Sequence, residues 1–383
     1  MHLTFTEDQL ALQATARAVL DRECPPSLVR EAVEKGTGSD RLWRCLAGLG
    51  WPALTVPEAA GGLGQGFVEL AVVLEELGRA CAPGPYLATM TQFLPALRAA
   101  GDRDGATAPR WLSAVARGEL TGTLALAEGP TWEPRAVRAT AQPVAGGWLL
   151  HGTKRHVLSG AEVDELVVAV RPAGDGGLAL VVVPARDLAI EPVESLDATR
   201  PLATVRLDGV LVPDDRVLAP AAAGADVALA RVLHEATVGL ALDTVGACQT
   251  LLDTTLAYAK VREQFGVPIG SFQAVKHRFA DMLVALEKAR VTAYFAALTV
   301  AEDDPRRAVA ASMAKAAAGD CQRLLTSSAI QLHGGVGFTW EHDAHLWVKR
   351  AKTGELLFGT SEFHRRIVAD HAFSSATGPP PRS

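Results

Sequence analysis

Two segments of this 383-residue chain combine residue types that suit the binding of phosphate groups. The first contains Arg262, whose planar guanidinium can hold two oxygens of a pyrophosphate through parallel hydrogen bonds. The second contains Gly334 and Gly335, and paired glycines let a backbone approach a phosphate closely because neither carries a Cβ. Each feature also has a purely structural reading, since Arg262 can cap a helix end and the glycines can form the turn that ends a helix.

Composition excludes several classes of protein. Hydrophobic residues make up 49% of the chain and charged residues 21%, and the formal net charge is −6, which indicates a globular protein rather than a general nucleic-acid binder. The start has no basic region followed by an apolar run, and no long apolar stretch suggests a membrane span. Five scattered cysteines without a CxxC motif are typical of reduced thiols, so we expect a cytoplasmic protein without membrane association or a structural metal.

Hydrophobic periodicity divides the chain into three domains and a tail. The expected divisions are a helical domain at 1–120, a β domain at 121–218, a helical bundle at 225–372 and a disordered tail at 373–383. The strands are expected at Thr123–Ala127, Trp148–His151, Glu165–Val170, Leu178–Pro184 and Leu202–Val212. The apolar stripes of two bundle helices are expected at Val245, Cys248, Leu252 and Ala259, and at Phe279, Met282, Leu283 and Leu286.

The segment from Tyr258 to Gln273, YAKVREQFGVPIGSFQ, resembles the signature of the acyl-CoA dehydrogenase family almost residue for residue. The segment Gln331–Phe338, followed by Glu341, resembles the glutamine and paired-glycine turn of that family. Segments 49–64 and 197–213 also fit, and the resemblance covers residues 3–372. It implies a mainly α fold with a central β domain: an N-terminal helical domain, a middle β-barrel domain and a C-terminal four-helix bundle.

The resemblance also implies an FAD that is shared across a subunit interface. In this family, residues of the two signature segments reach the adenosine–pyrophosphate half of the neighbouring subunit's FAD. The cofactor-binding residues that the resemblance implies here are Arg262, Gln264, Phe265, Phe272, Gln273, Gln331, Gly334, Gly335 and Thr360.

Other family motifs depart from the pattern in a common direction. Many members carry a glutamate before the Gly-Thr pair as the base that removes the substrate α-proton, but this chain has Phe358, and a phenyl ring cannot accept a proton. Ala127 and Leu158 stand where the family has hydroxyls near the flavin ring, and His156 stands where it has a tryptophan. Groups that serve a neighbour's FAD are thus kept, and groups that hold a flavin ring in this subunit are lost.

A displaced base is the alternative to a missing one. Some members carry the glutamate on an earlier bundle helix, where this chain has Ala236 with Glu235 next to it. One residue of helix is about 100° of rotation, which turns Glu235 away from that position. His234 and Glu355 are weaker candidates.

These features favour a base-less subunit of a heteromeric (αβ) bacterial acyl-CoA dehydrogenase, which serves a catalytic partner subunit in α,β-dehydrogenation of an acyl thioester. The segment Gly337–His345 resembles such subunits of enzymes that act on bulky substrates such as steroid side chains. The alternatives are a self-sufficient homo-oligomeric FAD enzyme with a displaced base, a repurposed flavin-dependent oxygenase or non-redox enzyme of specialised metabolism, and an assembly scaffold. The acyl group, and whether the thioester is to CoA or a carrier protein, stay open.

Overall fold

A computed structural model describes residues 4–101, 108–174, 177–219 and 224–376. The helices are α1 (Glu7–Glu23), α2 (Pro26–Lys35), α3 (Ser39–Gly48), α4 (Phe67–Arg79), α5 (Tyr86–Ala88), α6 (Leu94–Gly101), α7 (Ala108–Ala116), α8 (Ala225–Val261), α9 (Gln273–Ala301), α10 (Arg307–His333), α11 (Ala344–Leu356) and α12 (Ser361–Ala376). The strands are β1 (Gly122–Ala125), β2 (Thr140–Val144), β3 (Gly147–His151), β4 (Thr153–Leu158), β5 (Glu165–Pro172), β6 (Ala179–Pro184), β7 (Ala189–Val193), β8 (Leu202–Arg206), β9 (Val210–Pro213), β10 (Val217–Ala219), β11 (Glu263–Gln264) and β12 (Val267–Pro268).

The chain divides into two compact units. The helical unit comprises Met1–Ala14, Ala71–Cys81 and Thr237–Ser383, and the mixed unit comprises Thr15–Leu70 and Ala82–Ala236. Helical segments therefore flank a central sheet region along the sequence, as expected. The predicted boundaries at 120, 218 and 225 stay a prediction.

Small residues let the helices of the helical unit pack closely. Helix α10 packs against α9, α11 and α12, and its buried face carries Ala310, Ala314, Ala318 and Gly319. The stripe predicted on α8, from Val245 to Ala259, is buried and is confirmed. These helices form the expected bundle.

Glycine sets the contact between α4 and α8. A Cβ added to Gly246 would lie 2.0 Å from the backbone oxygen of Glu75, and one added to Gly78 would lie 2.1 Å from that of Asp243. No real Cβ makes so short a contact, so the two backbones touch only because both positions are glycine. The second half of α4 is thereby part of the helical unit.

Two sheets share the core of the mixed unit. The larger has the order β10-β6-β5-β2-β3-β9, with β1 also paired to β5, and the smaller has the order β4-β8-β7. Strands β1 and β2 run parallel to β5, and the other pairs of the larger sheet are antiparallel. Val157 and Val205 of the smaller sheet pack in one cluster with Val168 and Val181 of the larger.

The strands that the structure describes do not close into the predicted β-barrel, so that expectation is wrong. Edge strands β7 and β9 contain Pro192 and Pro213, and proline has no N–H to extend a ladder. The run predicted as one strand at 202–212 is instead divided between β8 and β9, which belong to different sheets. Residues 207–209 interrupt the run, and the chain passes there from the smaller sheet to the larger one.

The structure also differs from the predicted C-terminal tail and from the second predicted stripe. Helix α12 continues to Ala376, so residues 373–376 are helical and not part of a disordered tail, while residues 377–383 of the predicted tail lie outside the described residues. Leu283 of the second predicted stripe is exposed, although Met282 and Leu286 are buried. Among the described residues, no helix is long and apolar enough to span a membrane.

Candidate functional site

The segment that resembles the family signature forms a hairpin between α8 and α9. Strands β11 and β12 pair, and Ile269 N donates to Arg262 O at 2.8 Å, which closes the hairpin base. The tip residue Phe265 has a left-handed backbone (φ 56°) and is 93% exposed. Its ring meets that of Phe272 edge-on, with centroids 6.2 Å apart. The hairpin therefore presents its side chains outward.

The paired-glycine turn directly follows α10. Gly334 has φ 63° and ψ −143°, a conformation open to glycine but not to other residues. A Cβ added to Gly334 or Gly335 would meet nothing within 4 Å, so the backbone of this turn is accessible. Gln331, in the last turn of α10, is exposed beside it. The turn can thus receive a group that needs close backbone contact.

A ring stack brings the two segments to the same end of the bundle. Tyr258 in the last turn of α8 stacks on His333, the last residue of α10, with centroids 4.6 Å apart. His333 Nδ1 donates to Ala329 O at 2.9 Å, and the ring of His342 also packs against that of His333. Burial lowers the pKa of His333, which favours the neutral ring. The hairpin and the glycine turn therefore leave adjacent helix ends.

The grouping at this end, which we call the phosphate face, fits the adenosine–pyrophosphate half of an FAD. It offers an exposed guanidinium, exposed amides and open glycine backbone, which are donors for phosphate oxygens. These groups are exposed, so a group from outside the chain can reach them. The phosphate face comprises Arg262, Gln264, Phe265, Phe272, Gln273, Gln331, Gly334 and Gly335.

Thr360, the ninth predicted cofactor residue, has a different position. It precedes α12, where its Oγ1 accepts a hydrogen bond from Phe363 N at 3.3 Å. Its hydroxyl thus caps a helix. Within the described residues, its hydrogen bonds stay in the first turn of α12 and do not reach the phosphate face.

Phe358 occupies a strained turn between α11 and α12. Its φ is 56°, an outlier for a bulky residue, and its side chain is 8% exposed. His364 Nε2 donates to Phe358 O at 2.9 Å, and Lys315 Nζ donates to Gly359 O at 2.5 Å and to Glu355 O at 2.9 Å. These buried donors hold the turn in its left-handed form.

The groups under this turn titrate far from their ordinary ranges. Burial lowers the pKa of Lys315 to about 7, although nearby Glu355 opposes the shift. Burial, together with the charge of Lys315, lowers the pKa of His364 to about 4. His364 is therefore neutral at pH 7, with Nδ1 left to accept from Ser312 Oγ at 3.2 Å. Sequence reasoning missed both residues, although a lone lysine in the alanine-rich buried face of α10 was a signal.

Both alternative acids have partners within the chain, which argues against either of them as a catalytic base. Glu355 is buried, and one of its oxygens accepts from both Ser361 N (3.0 Å) and Ser361 Oγ (2.8 Å). Glu235 pairs with Arg98 of α6 at 2.5 Å, in a largely buried contact within the mixed unit. Its carboxylate is therefore already engaged by a guanidinium of the same unit. Ala236, the position used by some relatives, is buried and offers no acid.

The segments expected to hold a flavin ring do come together in the mixed unit. Lys154, fully buried, donates to Glu128 at 2.6 Å, and Arg155 N donates to Ala127 O at 2.7 Å. Burial lowers the pKa of Lys154 to about 8, against the attraction of Glu128. Burial alone would raise the pKa of Glu128, but hydrogen bonds from Lys154 and from two backbone N–H groups lower it. This buried pair fixes the two segments side by side.

The residues that these segments present are not those of a usual flavin-ring pocket. His156 has a left-handed φ of 54° at a break in the β4–β8 register, and its ring lies 6.0 Å from that of Trp132. Ala127 and Leu158 are buried apolar side chains. The two segments thus lie side by side, but these three positions supply neither a hydroxyl nor an indole.

Comparison with known protein families identifies matches at both ends of the chain. The model of the acyl-CoA dehydrogenase N-terminal domain matches residues 6–119, and that of the acyl-CoA dehydrogenase C-terminal domain matches residues 222–373. The acyl-CoA dehydrogenase FadE34 of Mycobacterium tuberculosis is 35% identical over 96% of this chain. The chain spans 48% of the length of that protein. The acyl-CoA dehydrogenase IpdE2 of Mycolicibacterium smegmatis is 32% identical, with 96% of this chain and 99% of the relative covered.

Two solved structures share the fold over nearly the whole chain. The ChsE4-ChsE5 complex from Mycobacterium tuberculosis gives a TM-score of 0.85 at 28% identity, covering 99% of this chain and 100% of the other. A variant of the Tcur3481-Tcur3483 steroid ACAD gives a TM-score of 0.86 at 31% identity, covering 97% of this chain and 99% of the other.

Proposed function

Because this chain belongs to the acyl-CoA dehydrogenase family, whose members are FAD-binding, we propose that it is the base-less subunit of a heteromeric acyl-CoA dehydrogenase. In this role it contributes the phosphate face to an FAD that is carried with a catalytic partner subunit. The reaction of the complex is α,β-dehydrogenation of an acyl thioester.

One observation carries the proposal. The phosphate face is intact and exposed, whereas the turn before Gly359 holds Phe358 in place of an acid. A chain that had lost its function would not be expected to keep one half of a cofactor site and lose the other. The selective retention is explained if another chain supplies the acid and the flavin-ring contacts.

The residues of this chain would then bind and orient but not transfer protons. Arg262 would hold the FAD pyrophosphate through two parallel hydrogen bonds, and the open backbone at Gly334 and Gly335 would approach the same phosphates. FAD, when bound, supplies the acceptor for the hydride that leaves the substrate Cβ. Removal of the α-proton is assigned to a carboxylate of the partner.

Relatives support both the assembly and the substrate class. One structural relative is the ChsE4-ChsE5 complex, and another is the Tcur3481-Tcur3483 steroid ACAD. We therefore propose an acyl-CoA with a bulky, steroid-type acyl group as the substrate. Comparing kcat/KM for a steroid side-chain acyl-CoA with that for butyryl-CoA checks this part, and a preference for butyryl-CoA would contradict it.

Co-expression tests the proposed function. We expect this chain, co-expressed and co-purified with a family member that keeps a glutamate before its Gly-Thr pair, to reduce a ferrocenium acceptor with acyl-CoA. Replacement Arg262→Gln should reduce the FAD content of the complex at least tenfold, while Arg186→Gln, at an exposed position of the mixed unit, should leave it unchanged. Turnover by this chain alone at the rate of the complex would contradict the proposal.

A further inference from the structure

An exposed indole follows the paired-glycine turn. Trp340 stands five residues after Gly335, and 49% of its side chain is exposed. Between them, Thr339 N and Thr339 Oγ1 both donate to Val336 O, at 3.1 and 3.0 Å. These two bonds close a turn directly before the indole, so the backbone at Trp340 has a defined position.

The chain then returns from Trp340 to the end of α10. The ring of His342 lies 4.6 Å from that of His333, the residue before Gly334. His342 Nδ1 in turn accepts from Ala344 N at 3.1 Å, which connects it to the start of α11. Because consecutive Cα atoms are about 3.8 Å apart, the Cα of Trp340 lies within about 8 Å of that of His342. The indole therefore stands beside the phosphate face.

Contacts with α11 hold the indole in place. Its ring stacks on that of His345, with centroids 4.6 Å apart and planes 19° from parallel. Lys349, one helical turn further along α11, places Nζ 4.9 Å from the centre of the indole. His345 is buried, so it is a fixed support for the ring. A ring that is already ordered loses little freedom when a ligand stacks on its exposed part.

A flat ring beside donors for phosphate oxygens suits a nucleotide. The phosphate face offers a guanidinium, amides and open glycine backbone, which bind phosphates but do not recognise a base. A nucleobase has a π face and stacks on an exposed aromatic ring, whereas an inorganic phosphate gains nothing from an indole. The combination therefore favours a ligand that carries both a base and a pyrophosphate.

We propose that Trp340 stacks on the adenine ring of an adenosine diphosphate group whose phosphates are bound by the phosphate face. The proposal rests on the proposed function, because FAD and CoA both contain such a group. It adds a residue that recognises the base to a set that binds phosphates. Trp340 lies outside the residues that the family resemblance implies for the cofactor.

Titration of the full chain with ADP and with inorganic pyrophosphate tests the stacking. We expect calorimetry to show that ADP binds at least tenfold more tightly than pyrophosphate, because only ADP carries a base. Trp340→Ala should weaken ADP binding about tenfold and leave pyrophosphate binding unchanged, and Trp340→Phe should keep most of the ADP affinity. Unchanged ADP affinity in Trp340→Ala, or an equal loss for both ligands, would overturn the proposal.

A matched control removes another exposed apolar side chain. Leu211, on β9 of the mixed unit, is 58% exposed, and Leu211→Ala should bind both ligands as the wild type does. Trp340→Ala should also keep the wild-type melting temperature, since the side chain is half exposed. A loss of complex formation in Trp340→Ala with normal ADP affinity would make Trp340 a subunit contact and overturn the proposal.

The co-expressed complex identifies which molecule supplies the adenine. A tenfold loss of FAD affinity in Trp340→Ala, with an unchanged KM for acyl-CoA, assigns the base to FAD. A tenfold rise in KM with unchanged FAD affinity assigns it to CoA. If the wild-type chains form no FAD complex, the proposed function fails, but the ADP titration of the single chain still decides whether Trp340 stacks on adenine.

Discussion

The backbone at position 358 is held in an unfavourable conformation by buried donors. A left-handed bulky residue costs about 1–3 kcal/mol and persists where its surroundings leave no alternative. Here Lys315 and His364 bind the carbonyls of Gly359 and Phe358, so the turn keeps its shape whatever side chain it carries. These bonds are made to the backbone, so they would hold the turn equally with an acid or with phenylalanine at position 358.

Stability should fall in acid because His364 must be neutral in the native state. Its pKa is about 4 in the folded chain against an ordinary 6.5, so the unfolded chain binds the additional proton as pH falls between these values. The loss amounts to roughly 3 kcal/mol at most. Urea unfolding from pH 7 to 4 should show this slope, and His364→Gln, which keeps a donor, should flatten it.

The exposed His277 supplies the control for that prediction. His277→Gln should leave the slope of unfolding free energy against pH unchanged. An unaltered slope in His364→Gln would mean that other groups govern the acid response.

Glu235 is expected to stabilise the fold rather than to remove a proton. Glu235→Gln removes the charge that Arg98 faces, so we expect a loss of about 1 kcal/mol in unfolding free energy. Turnover of the co-expressed complex should stay within twofold of wild type, measured with the ferrocenium assay. Glu133→Gln, at an exposed pair with Arg135, is the control for stability. A hundredfold loss of turnover in Glu235→Gln would restore it as the base.

At the scale of elements, glycines have two separate uses in the helical unit. Gly246 and Gly78 permit backbone contact between α4 and α8, where any Cβ would overlap a carbonyl oxygen. A Cβ at Gly334 or Gly335 would meet open space, so no neighbouring atom excludes a side chain there, although the left-handed backbone of Gly334 favours glycine. The first pair therefore serves packing, and the second is available to a ligand.

Replacing one glycine of each kind by alanine should separate these uses. Gly246→Ala forces α4 and α8 apart and should destabilise the chain by about 3 kcal/mol, which thermal unfolding would measure. Gly335→Ala should leave the melting temperature unchanged but lower the FAD content of the co-expressed complex. Equal stability of the two variants would contradict the packing role of Gly246. Normal FAD content in Gly335→Ala would contradict the cofactor role of Gly335.

The sequence predicts helices and buried strands better than the surfaces they present. The stripe on α8 and the apolar strands β5 and β6 follow from periodicity, because both faces of those strands are buried. Strands β2 and β7 were not predicted, since they are mostly exposed and contain proline. Leu283 fits a helical stripe but is exposed, and periodicity alone cannot distinguish a buried apolar face from an exposed one.

For the candidate site, the sequence motif indicated which residues belong together but not how they meet. Arg262 and Gly334 are far apart in sequence, and the Tyr258–His333 stack joins their helix ends. The buried Lys154–Glu128 pair was also not foreseen, because a buried ion pair leaves no periodic signal. The motifs indicated the chemistry of the candidate site, and the long-range contacts in the structure show how its segments are arranged.

At the scale of the whole molecule, the phosphate face lies at the end of the helical unit where the Tyr258–His333 stack joins α8 and α10. In the isolated chain its Arg262 and Phe265 are exposed. Under the proposed function, assembly with a second, different chain would cover these groups and complete the site.

Flavin content tests the central claim most directly. The chain is purified alone after addition of FAD, free cofactor is removed, and FAD per chain is measured by absorbance; the co-expressed complex is treated in the same way. We expect almost no FAD on the chain alone and one FAD per pair of different chains in the complex. One FAD per chain in the isolated protein, bleached on addition of acyl-CoA, would contradict the account, because this chain would then hold and use a complete flavin site.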